Sequence, residues 1–248
     1  MTSFQSPAVH SCPGCDVFFL RRRVSTINFL DAQDWSDGMP TVWWKQEPLV
    51  RCGTCAALFW LDDTEPVGIM PERPRPIGRL TRAWMRWRGD PEGRFRHEEE
   101  WSHALALWGS ARYIDNVNFD DVAYVLARSE RVSRDRLLWL RKRIWWGLND
   151  RYRNRDDGTP FPDVPSWPEA DERANMEAIL DMLQEGEVLP GGMIQQGELL
   201  RLLGRFDEAV AVLRAVPADG RGEVRAVKIE SLARSGDTQV RLLSAPTW

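Results

Sequence analysis

The sequence predicts an α+β fold, with a small four-cysteine β unit at the front and a mainly α-helical body behind it. Three observations lead there. All four cysteines of the 248-residue chain fall in two C-x-x-C pairs, Cys12-Pro13-Gly14-Cys15 and Cys52-Gly53-Thr54-Cys55. Short runs of β-branched and aromatic residues follow each pair, a composition that suits a half-buried pleated surface. From about residue 77 onward, apolar residues recur instead at helical spacing.

Two C-x-x-C turns with no cysteine left over are what a tetrahedral four-thiolate site requires, each turn aiming two sulfurs at one ion. Asp16-Val17-Phe18-Phe19-Leu20 and Thr26-Ile27-Asn28-Phe29-Leu30 read as short strands, Asp34 to Pro40 as a turn, and Thr41-Val42-Trp43-Trp44 and Leu58-Phe59-Trp60-Leu61 as further strands. Knuckle, hairpin, knuckle, hairpin is the zinc-ribbon plan, and Cys12, Cys15, Cys52 and Cys55 are its expected ligands for a structural Zn2+. So small a sheet has little core, and bound metal would supply much of its folding free energy. Iron in a rubredoxin-like site uses the same four thiolates and ranks second. A dithiol redox centre needs one active pair at a helix N-terminus, whereas strand-like or turn-rich sequence follows both pairs here. A catalytic zinc would need an open coordination position that four cysteines do not leave.

Proline and glycine then divide the chain into a ribbon at 1–65, a Pro-rich linker at 66–76, a Trp-rich helical unit at 77–157, a Pro-rich connection at 158–168 and helical hairpins at 169–248. In the middle unit, helices are expected at Ile77 to Arg88, Glu98 to Trp108, Asp120 to Arg128, and Arg134 to about Asn149 with Ser133 as cap. The last of these carries Leu137, Leu138, Leu140, Ile144, Trp145 and Leu148 over a broad arc and is expected to be central. A further helix is expected from about Glu169 to Gln184.

Charge and composition narrow the function classes. The net charge of −4 conceals a basic middle and an acidic tail. Arg134, Arg141, Lys142, Arg143 and Arg151 lie among tryptophans, which is the pattern of a single-stranded nucleic-acid contact. The competing reading, a solvated helix face whose Arg stems cover aromatic core, is preferred because the whole chain is acidic. On the same helix Trp146, Asn149 and Asp150 share a face and, with Trp35 and Asp37, form a candidate ligand or partner corner; the alternative is a helix end whose Asn149 or Asp150 bonds local backbone. His10, His97 and His103 are scattered and no nucleophile motif accompanies them, so no catalytic residue is assigned. His10 is a spare metal ligand at most. No run of about 18 apolar residues exists, no secretory signal pattern opens the chain, and paired cysteines suit a reducing compartment, so a cytoplasmic protein without a membrane partner is expected.

The tail carries the second informative pattern. Gly197, Leu200, Gly204-Arg205-Phe206, Ala209, Leu213, Val216 and Pro217 make the segment Met193 to Pro217 resemble a tetratricopeptide repeat. A degenerate copy is expected at Glu223 to Leu243, with Ser235-Gly236-Asp237 as its turn and Arg241 where an alanine belongs. With the knuckles, Trp35-Ser36-Asp37-Gly38 and Trp145-Trp146 with Asn149-Asp150, most of the chain resembles a group of uncharacterised bacterial zinc-ribbon proteins. That resemblance implies no activity. The expected function is a protein–protein interaction adaptor, with a nucleic-acid-binding module second and a small-molecule enzyme or ligand-binding protein third.

Overall fold

The computed structural model describes residues 3–26, 33–39, 47–74, 78, 80, 83, 87, 94–153, 165–186, 189–218 and 221–244. The α+β expectation holds, with strands around a four-cysteine cluster preceding a mostly helical body. The chain packs as two compact units, Met1–Asn28 with Trp44–Val117, and Phe29–Trp43 with Asn118–Trp248. The strands expected at 27–30 and 41–44, most of the helix expected at 77–88, and the Pro-rich break at 158–164 lie outside the described residues.

In the first unit, β1 (Ser3–Ser11) pairs antiparallel with both β2 (Phe18–Thr26) and β6 (Pro66–Ile69). Pro7, which has no N–H to give a ladder, falls where the β1–β2 register shifts between Gln5 and Ala8. Residues Pro66–Ile69, expected to open a linker, are therefore a strand, because the β1 edge binds their backbone. Gly68 lies under Trp108, where a Cβ would come within 2.3 Å of the indole. A second sheet joins β4 (Leu49–Arg51) to β5 (Leu58–Trp60). Helix α1 (Arg94–Trp108) leads into β7 (Arg112–Tyr113) and β8 (Asp115–Asn116), which pair with β2 and β4 respectively. These two pairings attach residues up to Val117 to the cysteine unit, further along the chain than the expected boundary at 65.

The second unit is a succession of helices: α2 (Phe119–Leu126), α3 (Arg134–Asn149), α4 (Glu169–Gln184), α5 (Pro190–Leu202), α6 (Phe206–Arg214) and α7 (Arg221–Arg234). Local chemistry sets their ends. Asn118 and Asp121 form a reciprocal capping box on α2, and the Ser133 hydroxyl accepts from the Arg136 N–H to start α3. Helix α5 ends in a Schellman motif, with the Arg205 N–H on the Leu200 carbonyl at 2.8 Å, the Gly204 N–H on Arg201 at 3.0 Å, and Gly204 at φ 77°. Helix α7 ends the same way at Asp237 to Leu232, Gly236 to Ala233 and Gly236 φ 71°.

Trp145, Ile179, Leu180, Leu199, Leu200, Leu203, Ala209 and Ala233 form one buried core contributed by α3 to α7. Gly197 permits the α5–α6 approach, since a Cβ there would stand 2.4 Å from Leu213. The second hairpin is not completed. After α7 the chain extends as β9 (Leu242–Ser244) and pairs antiparallel with β3 (Asp34–Trp35). Arg241 fails as a helix position for this reason: its backbone exchanges hydrogen bonds with Ser36, by N–H to the Ser36 hydroxyl at 3.0 Å and carbonyl from the Ser36 N–H at 2.9 Å. Residues 33–39, expected within the ribbon, accordingly belong to the helical unit.

Candidate metal centre and a buried polar lock

The two knuckles are copies of each other. The Cys12 N–H donates to the Val17 carbonyl and the Asp16 N–H to that of Cys12, both at 2.9 Å, and Cys52, Ala57 and Ala56 repeat both bonds at 2.9 Å. The Gly14 and Thr54 N–H groups each point at the first sulfur of their own knuckle, at 3.4 Å. Each turn closes with a left-handed residue, Asp16 at φ 58° and Ala56 at φ 59°. Neither is glycine, so each conformation costs about 1–2 kcal/mol. Phe19 and Phe59 occupy matching places after the knuckles, and their ring centroids lie 5.6 Å apart beneath the site.

Across the knuckles, Cys12 Sγ is 3.7 Å from Cys55 Sγ and Cys15 Sγ is 3.8 Å from Cys52 Sγ. All four sulfurs lie within 4.8 Å of one another. These separations are far beyond a disulfide bond of about 2.05 Å. They match the edge of a tetrahedron whose corners sit about 2.3 Å from a central ion, an edge of about 3.8 Å. Cys12 and Cys52 are buried, while Cys15 and Cys55 face solvent. Burial pushes the Cys12 thiol up to about 12. At Cys52 burial acts in the same direction, but the Cys55 and Thr54 N–H groups and the neighbouring cysteines outweigh it and bring the thiol to about 7. A bound cation favours the thiolate at all four positions.

His10 takes no part in this cluster. Its Nδ1 is 2.9 Å from the Thr64 hydroxyl, and its ring stacks on Phe19 at 5.5 Å and 13°. Burial, with Arg21 nearby, lowers its pKa.

The corner expected around Trp146 is assembled inside the helical unit. Asp37 is fully buried, and its Oδ2 accepts from Asn149 Nδ2 at 3.0 Å and from the Arg153 guanidinium. Its Oδ1 accepts from the Met39 N–H at 3.2 Å, and its carbonyl from Trp146 Nε1 at 3.2 Å. Arg153 also donates to the Asp150 carboxylate at 2.6 Å and the Trp146 carbonyl at 2.8 Å, and it lies 5.6 Å from the centre of the Trp35 ring. Trp35, Asp37, Trp146, Asn149 and Asp150 thus do meet. The polar groups Asp37 presents are engaged by donors of the same unit. Asn149 bonds a distant carboxylate rather than local backbone. Burial raises the Asp150 carboxyl above its ordinary value, with Arg153 acting against it. Sequence reasoning missed Arg153 as the organiser. Nothing local separates it from Arg151 or Arg155, and only Asp37, far along the chain, gives it its role.

The basic residues considered for nucleic acid mostly join helices. Arg134 donates to the Met182 carbonyl, Arg141 Nη1 to Asn175 Oδ1 at 3.3 Å, Lys142 Nζ to Gln195 Oε1 at 2.6 Å, and Arg151 forks onto Glu172. Arg143 also has a partner. Burial lowers the pKa of both Arg141 and Lys142. No helix among the described residues is long and apolar enough to cross a membrane. Searches against protein families, curated proteins and solved structures return no match for this chain.

Proposed function

We propose that this chain is a structural-zinc protein that acts as a protein–protein interaction adaptor. The sulfur tetrahedron carries the zinc assignment: four thiols at 3.7–3.8 Å across two matched knuckles, each with an N–H aimed at sulfur. With all four corners occupied by protein sulfur, the ion's role is structural rather than catalytic. The adaptor assignment is supported by the tetratricopeptide-like pair α5–α6, in which Gly197 and the buried Ala209 let the helices close and Gly204 turns the chain between them. Nucleic acid ranks below protein as a partner because Arg134, Arg141, Lys142 and Arg151 already have intramolecular acceptors. Reduced thiols of this kind suit the cytoplasm.

Elemental analysis of protein purified without added metal, paired with thiol titration, tests the first half. One zinc per chain is expected, with all four thiols released only on chelation or denaturation. Metal-free protein with one readily oxidised cysteine pair would replace the assignment with dithiol redox chemistry. For the second half, affinity capture with the full chain is expected to retain a specific protein, and nucleic acid retained in its place would reverse the ranking.

A further inference from the structure

The two knuckles divide their sulfurs in the same way. In each, the first cysteine is buried, Cys12 or Cys52, and the second, Cys15 or Cys55, is exposed. The close sulfur contacts run between the knuckles, Cys12 Sγ to Cys55 Sγ at 3.7 Å and Cys15 Sγ to Cys52 Sγ at 3.8 Å. Each contact therefore joins a sulfur that a dissolved reagent can reach to one that it cannot. An accessible thiolate beside a second, resolving cysteine is the arrangement of reversible oxidation, and here it is built twice around one centre.

Thiolate character and access decide where an oxidant attacks. Sulfurs that hold a metal ion are deprotonated, so all four have the first property and only Cys15 and Cys55 have the second. Cys12 and Cys52 are shielded, and each also carries an N–H on its sulfur at 3.4 Å, from Gly14 or Thr54. The knuckles already lie close. A Cβ at position 14 would stand 3.3 Å from Cys55 Sγ and 3.1 Å from the Ala57 Cβ. From either sulfur contact, a disulfide of about 2.05 Å needs an approach of less than about 2 Å.

We propose that Cys15 and Cys55 are sites of reversible oxidation by a hydroperoxide, which releases the zinc and puts two disulfides between the knuckles in its place, Cys12–Cys55 and Cys15–Cys52. The proposal rests on the structural-zinc reading above. The Cys55 thiolate first attacks the hydroperoxide: an S–O bond forms, the O–O bond breaks, and the other oxygen leaves with a solvent proton as alcohol or water. The Cys12 thiolate then attacks the Cys55 sulfenic acid. An S–S bond forms, the S–O bond breaks, and the hydroxide leaves with a second proton as water. The two sulfurs together lose two electrons and the peroxide gains two. Cys15 and Cys52 repeat the sequence with a second hydroperoxide. Each disulfide withdraws two ligands from the ion, whose own charge does not change. Because they cross between knuckles, the disulfides keep the β1–β2 and β4–β5 hairpins joined without metal.

The test adds hydrogen peroxide to the zinc-loaded, full-length protein and follows zinc release, free thiols and the unreduced proteolytic digest together. Zinc is expected to appear in step with the loss of all four thiols. The digest should hold the Cys12–Cys15 peptide covalently joined to the Cys52–Cys55 peptide, with fragmentation inside each knuckle assigning the partners. Reduction with dithiothreitol and added zinc should restore the starting state. Amide exchange gives a reading that oxidative damage would not: β4 and β5 should stay protected about tenfold more strongly in the oxidised protein than in reduced protein stripped by a chelator. Disulfides closed within each knuckle, sulfinic or sulfonic acids formed while zinc stays bound, or equal exposure of β4 in the oxidised and stripped proteins would overturn the proposal and leave the zinc reading standing. Reduced protein that holds no zinc would overturn both.

Discussion

The two units turn their chains in opposite ways. Among the described residues of the helical unit the left-handed positions are glycines, Gly38, Gly204 and Gly236, which adopt that conformation without steric cost. In the cysteine unit they are Asp16 and Ala56, side chains that resist it. The helical unit has an apolar core drawn from five helices, ample to hold its turns in place. The cysteine unit has a small cluster, Cys12, Phe19, Val50, Cys52, Phe59 and Leu61, with two of the six being metal-ligand candidates. Strain is therefore carried beside the candidate metal site, where the apolar cluster is small.

Removing the metal should break this contrast most severely. Apparent zinc-binding energies reach about 10–16 kcal/mol for small structural sites at neutral pH, and the apolar cluster beside the four cysteines is small. Chelation, or Cys52→Ser, is expected to disorder residues around β1, β2, β4 and β5. Helices α3 to α7 should persist, because none of their core side chains belongs to the metal cluster. Amide exchange resolved by segment would read this. Loss of protection in α3 and α5 equal to that in β2 would show that the helical core also depends on the metal.

The helical unit has its own polar dependence, and the next effect in size tests it. Asp37→Asn keeps the shape but leaves the buried Arg153 guanidinium facing a neutral amide. Breaking a buried ion pair from one side costs about 3–5 kcal/mol. Asp150 remains to Arg153, so the lower end of that range is expected, seen as a fall in the denaturant midpoint with the metal content of the protein unchanged. A midpoint within experimental error of the wild type would mean that the cluster is incidental to stability.

The same contrast explains which parts were legible in the sequence. The metal cluster was legible because C-x-x-C fixes two sulfurs through a single turn, and the second copy at Cys52 repeats the chemistry of Cys12. Helix limits at Ser133 and Gly204 were legible because a cap is a contact between near neighbours. The Asp37–Arg153 pair was not, since its partners are joined only by the packing of α3 against a short segment before Met39. Nor was β9: Leu242–Ser244 has no local preference strong enough to announce a strand, and it becomes one because Asp34–Trp35 offers an edge. Pro66–Ile69 is the same case against β1.

The smallest expected effect is also the sharpest, because it predicts opposite signs for opposite substitutions. At Gly204 a Cβ would meet nothing within 4 Å, so Gly204→Ala changes backbone conformation alone. The left-handed penalty of about 1–2 kcal/mol, less the roughly 0.4–1 kcal/mol that alanine gains by restricting the unfolded chain, leaves a net loss of about 0.5–1 kcal/mol. Ala56→Gly reverses both terms and should stabilise the metal-loaded cysteine unit by a similar amount, with the metal stoichiometry unchanged. Denaturant midpoints of the two variants decide the matter. Should Ala56→Gly instead destabilise, the alanine methyl must contribute packing that outweighs its backbone strain, and Ala56 would not be the cost of aiming two N–H groups at one sulfur.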